Sequence, residues 1–429
     1  VQETAADNGR AIAYVIGTYP LLTTTFIDRE IDLLRQLGLE ITVVSLRRPH
    51  GALSPGQRRR VGDVRYVLPV PPVALARSHL WFMLHRPSAF WGTLAHLLTR
   101  PHRSVWSRVK TLLHFGEGVH VAHMLRSGRR HRHLHAHFVD RAATVALVAG
   151  RLLDLPFSAT AHANDIYVDP VLLAEKLTAA EFVVTCTGYN ADHLASAVGE
   201  DSDAEVLCIH HGVDVDRFAP PPHRAAGTPV VLAVGQLKEK KGFSYLVEAC
   251  GILRDRGHEL ECRIVGEGPQ RDVLEAEIHA RSLDGTVALY GALDHDAVVA
   301  QYCAATVFCL PCVTGADGDR DGIPNVILEA MAMELPVVST RHSGIPEAVL
   351  DGSTGSLAPP GDAPALADAL ANLLDDPQTA TTMGRRGRQV VAAKFDVATN
   401  AEKLVAHLTR SPDTSVQETG ASTHGRSTA

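Results

Sequence analysis

The chain has 429 residues, of which 45% are hydrophobic and 21% charged, and it carries a formal net charge of −7. That length and balance exclude a compositionally disordered chain and leave room for two hydrophobic cores. No apolar run reaches the length of a membrane span, and residues 1–10 lack the apolar core of a secretory signal.

The first predicted strand covers residues 11–16. A loop follows, then an amphipathic helix over 26–37 that Gly38 stops before a second strand at 41–46. A βαβ opening of this kind implies a parallel sheet with right-handed crossovers. Residues 77–133 differ in composition from the rest. They hold Trp81, Trp91 and Trp106 together with nine arginines and one lysine, against the single acid Glu117. Basic amphipathic helices with Trp on the apolar side suit an anionic membrane surface, and core packing with a solvated basic face is the alternative. Nucleic acid is not expected as a partner, because no recognised binding motif accompanies the basic residues. Further strands are predicted at 133–138, 157–161 and 182–186, with a helix over 142–153. His131, His133, His135 and His137 alternate along the first of these strands. That spacing suits a metal site or an ordinary strand with one polar face.

The first half closes near residues 209–218, and Pro220, Pro221 and Pro222 supply a linker. Alternation then restarts, with strands at 229–234, 261–265, 287–290, 307–310 and 336–339, each followed by a helical stretch. The pattern is that of two doubly wound α/β domains in series, facing across a cleft. The expected divisions are 1–218, 219–394, a closing helix within 395–410 and a polar, disordered tail over 411–429. Seven scattered cysteines lack framework spacing, which points to a reducing compartment. Cys309-Leu-Pro-Cys312 is formally C-x-x-C, but it ends an apolar strand and has no second pair for zinc.

The chemistry concentrates in Asp317-Gly-Asp-Arg-Asp-Gly-Ile-Pro-Asn-Val-Ile-Leu-Glu329, an acidic loop that leads into an apolar helix. Pro324 suits the first helical turn, whose free amides would face an anion, and Gly322 before it removes a Cβ that would hold a ligand off the backbone. Asp321 stands just before the helix and Glu329 two turns inside it, so both carboxylates are expected near one face, where they suit sugar or ribose hydroxyls. A calcium loop would need its bidentate Glu at the position of Leu328, one residue early. A solvated acidic turn that caps a core helix is the plainer reading.

Asp321-Gly-Ile-Pro-Asn-Val-Ile-Leu-Glu-Ala-Met-Ala332 resembles the E-x7-E signature of the retaining glycosyltransferases of family 4, which have the two-domain GT-B fold, with Asp321 in place of the first Glu as in the branch that makes surface polysaccharides. The resemblance implies hexosyl transfer from a nucleotide-diphosphate sugar to a hydroxyl acceptor. It implies that Glu329 holds the nucleotide ribose, that Asp321 contacts the transferred sugar, and that Gly322, Ile323, Pro324 and Asn325 line the donor. Gly235-Gln-Leu-Lys-Glu-Lys-Lys-Gly242 resembles the family's G-R-L…K-G, so Lys241 would stabilise the leaving nucleotide, while Gln236 replaces the usual Arg. Gly266-Glu267-Gly268-Pro269 matches I-V-G-x-G-P beside the nucleotide. Thr160-Ala-His-Ala-Asn-Asp165 resembles T-A-H-x-x-D, which would place His162 against the donor sugar and Asp165 in the same wall. In the first βα loop the polysaccharide branch reads P-x-x-S-E-T-F; here Thr24 and Thr25 stand, so the acidic contact is missing and the acceptor differs. No metal or other cofactor is expected, since lysine and helix-end amides take its place. The expected location is cytoplasmic, peripheral on the inner membrane face. Readings without transferase activity are a nucleotide-sugar-binding subunit, for which Gln236 argues, or an epimerase or phosphorylase on the same architecture.

Overall fold

The computed structural model describes residues 11–410 apart from 22–23, 52, 128–129, 169, 200–201, 203 and 224–226. The tail over 411–429 and the first ten residues lie outside the described residues.

Two parallel sheets organise the chain. The first contains β1 (Ala11–Thr18), β2 (Glu40–Arg47), β3 (Val64–Tyr66), β4 (His133–His137), β5 (Phe157–Ala161), β6 (Val183–Thr185) and β7 (Val206–Cys208), in the order β3-β2-β1-β4-β5-β6-β7. The second contains β8 (Val230–Val234), β9 (Glu261–Val265), β10 (Val287–Gly291), β11 (Val307–Leu310), β12 (Val337–Thr340) and β13 (Gly355–Ala358), in the order β10-β9-β8-β11-β12-β13. Each order reverses beside its first strand, at β1/β4 and at β8/β11. Crevices open at such points beyond the carboxyl ends of the strands, which is where this architecture binds ligands. The fold is GT-B, as expected. Three strands escaped the sequence reading: β3, β7 and β13 have only three or four residues each, too few to show a period.

Strands β4 and β5 are buried throughout, as in a sheet covered on both faces. His133, His135 and His137 share one face of β4, and that face is also buried. Its imidazoles are satisfied from neighbouring strands and a helix: His133 and His135 each bond Ser158 Oγ at 2.7 Å, His135 also meets Thr160 Oγ1 at 2.9 Å, and His137 meets Glu30 at 2.9 Å. Leu134 and Ala136 face the opposite core.

Between β3 and β4 the basic, Trp-containing segment folds as three helices, Pro72–His85, Pro87–Thr99 and Val105–Leu125. Phe82, Phe90, Leu97 and Phe115 anchor them in the first core. Val73, Leu84, Trp91, Val105, Trp106 and Leu113 stay exposed. No helix among the described residues is long and apolar enough to cross a membrane.

The last helix, Val397–Leu408, returns to the first domain, where Leu404 and Leu408 pack with Ile12, Ile16 and Leu34. The outgoing and returning segments are bonded together. Val213 N–H donates to Phe395 O at 2.9 Å and Val397 N–H to Val213 O at 3.3 Å. Gly212 permits this contact, since a Cβ there would lie 2.2 Å from Val397 Cα.

Candidate functional site

The second-domain wall is built largely from backbone. After β8 the chain passes through Gly235, Gln236 and Leu237 and is pressed against the turn that follows β9. Gly235 N–H donates to Val265 O at 2.9 Å and Leu237 N–H to Glu267 O at 3.0 Å. A Cβ on Gly266, whose φ is +146°, would come within 1.9 Å of Gly235 O, and one on Gly268 within 2.4 Å of Leu237 O. The two glycines therefore serve loop-on-loop contact first. Glu267 turns away to pair with Arg271 at 2.8 Å, and Gln236 is exposed.

Lys241 ends the short 3-10 turn Glu239–Lys241, and its alkyl chain lies alongside Gly235. Its Nζ bonds Asp321 Oδ2 at 2.7 Å, while Lys240 Nζ bridges Asp319 at 2.9 Å and Asp321 at 3.2 Å. Burial works against the charge of Lys241, but Asp321 outweighs it and leaves the pKa above its ordinary value. Burial likewise raises Asp321, yet Lys241 and then Lys240 bring it below the usual carboxylate range. Two lysines and two aspartates thus form one neutral network.

Two expectations for the acidic loop need correction. Pro324 is the N-cap, and the helix runs Asn325–Ala332, so Asp321 stands off the helix and Glu329 only one turn inside it. The ion pair with Lys241, rather than a shared helix face, sets the position of Asp321. Gly322 also has a packing purpose: a Cβ there would meet Thr187 Cγ2 of the first domain at 3.1 Å, so the glycine admits side chains of the other domain. Ile323 packs against the second core, and Asn325 Oδ1, His342 Nε2 and Ser343 Oγ are buried polar atoms with no protein partner.

Glu329 is buried and accepts from the Tyr302 hydroxyl at 3.1 Å. Burial raises its pKa, and Arg29, from the helix Thr25–Gln36 of the first domain, opposes that rise. Arg29 of the first domain is thus near enough for its charge to act on Glu329 of the second.

The first-domain wall is built from side chains. His162 ends β5 and starts the helix Ala163–Tyr167; its N–H donates to Asp165 Oδ1 at 2.7 Å, and the other oxygen of Asp165 accepts from Val139 N–H. Asp165 is thus the residue that fixes the turn. Burial and then Asp140 push its carboxyl up to about 8, against the lowering by those amides. His162 stacks on His211 at 5.2 Å and His137 at 5.8 Å, with Phe26 at 5.1 Å and Phe138 at 4.5 Å. Burial, then His211, then His137 hold its pKa well below the ordinary histidine value, so it is neutral at pH 7. Its Nε2 is buried without a protein partner.

Thr24 does not offer a free hydroxyl. Its Oγ1 closes its own turn, accepting from Leu21 N–H at 3.1 Å and donating to Leu21 O at 3.0 Å, while Thr25 is exposed. Glu30, His135 and His137 lie close enough to share a cation, but the hydroxyl partners of His135 already occupy both its nitrogens. Cys309 and Cys312 are buried free thiols in and just after β11.

The fold thus brings Gly235, Lys241, Asp321 and Gly266 together on one wall, with Glu329 beside Tyr302 and Arg29. His162 stands on the other wall, and among the described residues no hydrogen bond joins it to the lysine–aspartate pair. Sequence reasoning missed Arg29, Tyr302 and His211, and it reached Glu347 only as the end of Ser343-Gly-Ile-Pro-Glu347, a stretch that opens a helix after a strand. Glu347 accepts from Gly188 N–H at 2.8 Å and Tyr189 N–H at 2.9 Å, and so caps a first-domain helix from the second domain. Its only sequence signal was an acid opening a helix after Ser343-Gly-Ile-Pro.

Residues 215–390 match the family model described as Glycosyl transferases group 1. The Escherichia coli protein WcaL, named for colanic acid biosynthesis, is 43% identical over 188 residues, covering 43% of this chain and 46% of the relative. A GDP-mannose-dependent alpha-(1-6)-phosphatidylinositol monomannoside mannosyltransferase of Mycolicibacterium smegmatis is 34% identical over 239 residues, 53% of this chain and 62% of the relative. The chain therefore spans about half to three-fifths of the length of these two relatives. Among solved structures, Anabaena HepE in complex with UDP-glucose superposes with a TM-score of 0.69 over 93% of this chain and 99% of that one, at 16% identity, a likeness of fold.

Proposed function

With a group 1 glycosyl transferase domain over residues 215–390 as the premise, we propose that the chain transfers a hexosyl unit from a nucleotide-diphosphate sugar to a hydroxyl acceptor, with retention at the anomeric carbon, in polysaccharide, glycolipid or glycoconjugate assembly. The observation that carries this reading is the Lys241–Asp321 pair, held at 2.7 Å against the Gly235 loop at the carboxyl ends of the second sheet. An ammonium fixed there needs little reorganisation to meet charge developing on a departing diphosphate. First-turn amides of the helix Asn325–Ala332 would add to it, and no metal is invoked. Glu329, held by Tyr302, would take the ribose hydroxyls. Asp321 and the neutral His162 would bracket the sugar, with the unpartnered Nε2 supplying one hydrogen bond. The names of the two relatives support a polysaccharide or glycolipid product.

The exposed Gln236 at the usual arginine position favours a second reading, a nucleotide-sugar-binding subunit with weak catalysis. Nucleotide release from a panel of UDP-, GDP- and dTDP-sugars, with Lys241→Ala and Glu329→Ala as controls, separates the two. Turnover abolished by both substitutions supports the enzyme; tight binding without turnover on every donor supports the subunit. Activity indifferent to both substitutions would remove this site from consideration. The helices within 77–133 are proposed to hold the protein on the cytoplasmic face of an anionic membrane. Failure of vesicles containing anionic lipid to retain it would leave that surface structural or acceptor-binding.

A further inference from the structure

Three side chains of different chemistry converge where the first domain meets the second. Cys208 ends β7, His210 follows two residues later, and Glu347 comes from the short helix Ile345–Ala348 of the second domain. One ligand atom from each lies within 4.8 Å of those of the other two. Cys208 Sγ is 3.8 Å from His210 Nδ1 and 4.0 Å from Nε2.

Each group is oriented by bonds that leave it able to ligate. His210 Nδ1 lies 2.9 Å from the Cys186 carbonyl, which can only accept, so in the neutral ring Nδ1 carries the proton and Nε2 keeps its lone pair. A backbone carbonyl on the far nitrogen is the usual support of a metal-binding imidazole. The Glu347 carboxylate is aimed by Gly188 N–H on Oε2 at 2.8 Å and Tyr189 N–H on Oε1 at 2.9 Å, and each oxygen retains a second acceptor position. Cys208 is the exposed member of the seven cysteines, all of them free thiols. Its sulfur is almost equally far from the two ring nitrogens, so binding requires it to swing toward Nε2, which its exposure allows. Among the charges that act on this thiol, Glu347 and Asp192 outnumber Lys403, whose ammonium is bonded to Asn400 Oδ1 at 3.0 Å. Sulfur, imidazole nitrogen and carboxylate oxygen together form the donor set of a borderline-soft cation; calcium and magnesium take oxygen ligands instead.

We infer that Cys208, His210 and Glu347 form a binding site for a zinc-class divalent cation that ties the second domain to the first, with water in the remaining coordination position. Cys208 binds as the thiolate and its proton passes to solvent, with no change in oxidation state. The ion has no part in the transfer step, and the site stands independently of the transferase reading. Titration of the full chain, without an affinity tag, with Co²⁺ and then Zn²⁺ tests it. One equivalent of Co²⁺ is expected to raise a thiolate-to-metal charge-transfer band in the near ultraviolet, which Zn²⁺ then removes. Cys208→Ser should abolish the band, and His210→Gln or Glu347→Gln should each weaken Co²⁺ binding by about 10²-fold or more. Melting temperatures without metal certify the fold of each variant. A further measurement needs no variant: Zn²⁺ should slow alkylation of Cys208 by iodoacetamide about tenfold or more, and chelation should restore the rate. Absence of the band, a band indifferent to the His210 and Glu347 substitutions, or alkylation of Cys208 unslowed by Zn²⁺ overturns the assignment.

Discussion

The two walls of the cleft are made of different materials. On the second-domain side, main chain packs on main chain: Gly266 and Gly268 lie where any side chain would collide with a neighbouring carbonyl, and the charged residues are locked into one ion network. On the first-domain side, side chains do the shaping, with a stack of imidazoles around His162 and a cationic cavity rimmed by exposed apolar residues. A wall of backbone leaves little room for variation, whereas a wall of side chains can be rewritten residue by residue. The family model covers the first kind and stops short of the second.

Substitutions on the two walls should therefore differ in kind and in size. Lys241→Ala is expected to lower kcat by about 10²- to 10³-fold, as for loss of one preorganised charge donor, with the donor's KM changing far less. Steady-state kinetics would show it, and parallel losses in nucleotide release and transfer would place the effect at the leaving group. Asp321→Asn is expected to cost about 3 kcal/mol of stability by leaving buried lysines short of a counter-ion. Its pH dependence follows from the sign of the shift. The folded pKa of Asp321 lies below the ordinary 3.8, so its contribution is present above that value and lost as pH falls through the lower one. The gap in melting temperature between wild type and Asp321→Asn should accordingly be wide at pH 7 and close as pH falls below the ordinary 3.8. A gap constant with pH would mean that packing, not charge, holds the loop.

Gly266→Ala follows, at roughly 2–3 kcal/mol, because the methyl would collide with the Gly235 carbonyl. Denaturant unfolding measures it, and a neutral result would refute the backbone-built wall. Glu347→Ala should cost about 1 kcal/mol, the worth of a helix cap, and loosen the domain contact enough to appear as faster amide exchange at Gly188 and Tyr189. Trp106→Ser should change stability by less than about 0.5 kcal/mol, since the indole is largely exposed. A larger loss would mean that the rim is structural.

Most of the fold was legible because largely buried strands such as β1 and β8 announce themselves as apolar runs between turn residues. Edge strands β3 and β7, with three residues each, carry no such signal. In the site, Lys241, Asp321 and Glu329 stood out by motif, but the bond between the first two did not, because it closes a separation of eighty residues through tertiary contact. The bonds of Glu347 to the first domain's helix, and the action of Arg29 on the charge of Glu329, depend on how two domains meet, and no local pattern encodes that. Thr24 failed for the opposite reason: a hydroxyl beside a helix start satisfies its own turn before it reaches a ligand.

The paired crossing at Val213 and Phe395 has a mechanical meaning. Two passes of chain, bonded side by side where Gly212 meets Val397, form a hinge pin and not a tether. Twisting or sliding one domain over the other would shear those two hydrogen bonds, whereas swinging the cleft open bends both passes together. The helix Val397–Leu408 is packed on the first domain, so any change in the cleft has to pass through this paired crossing.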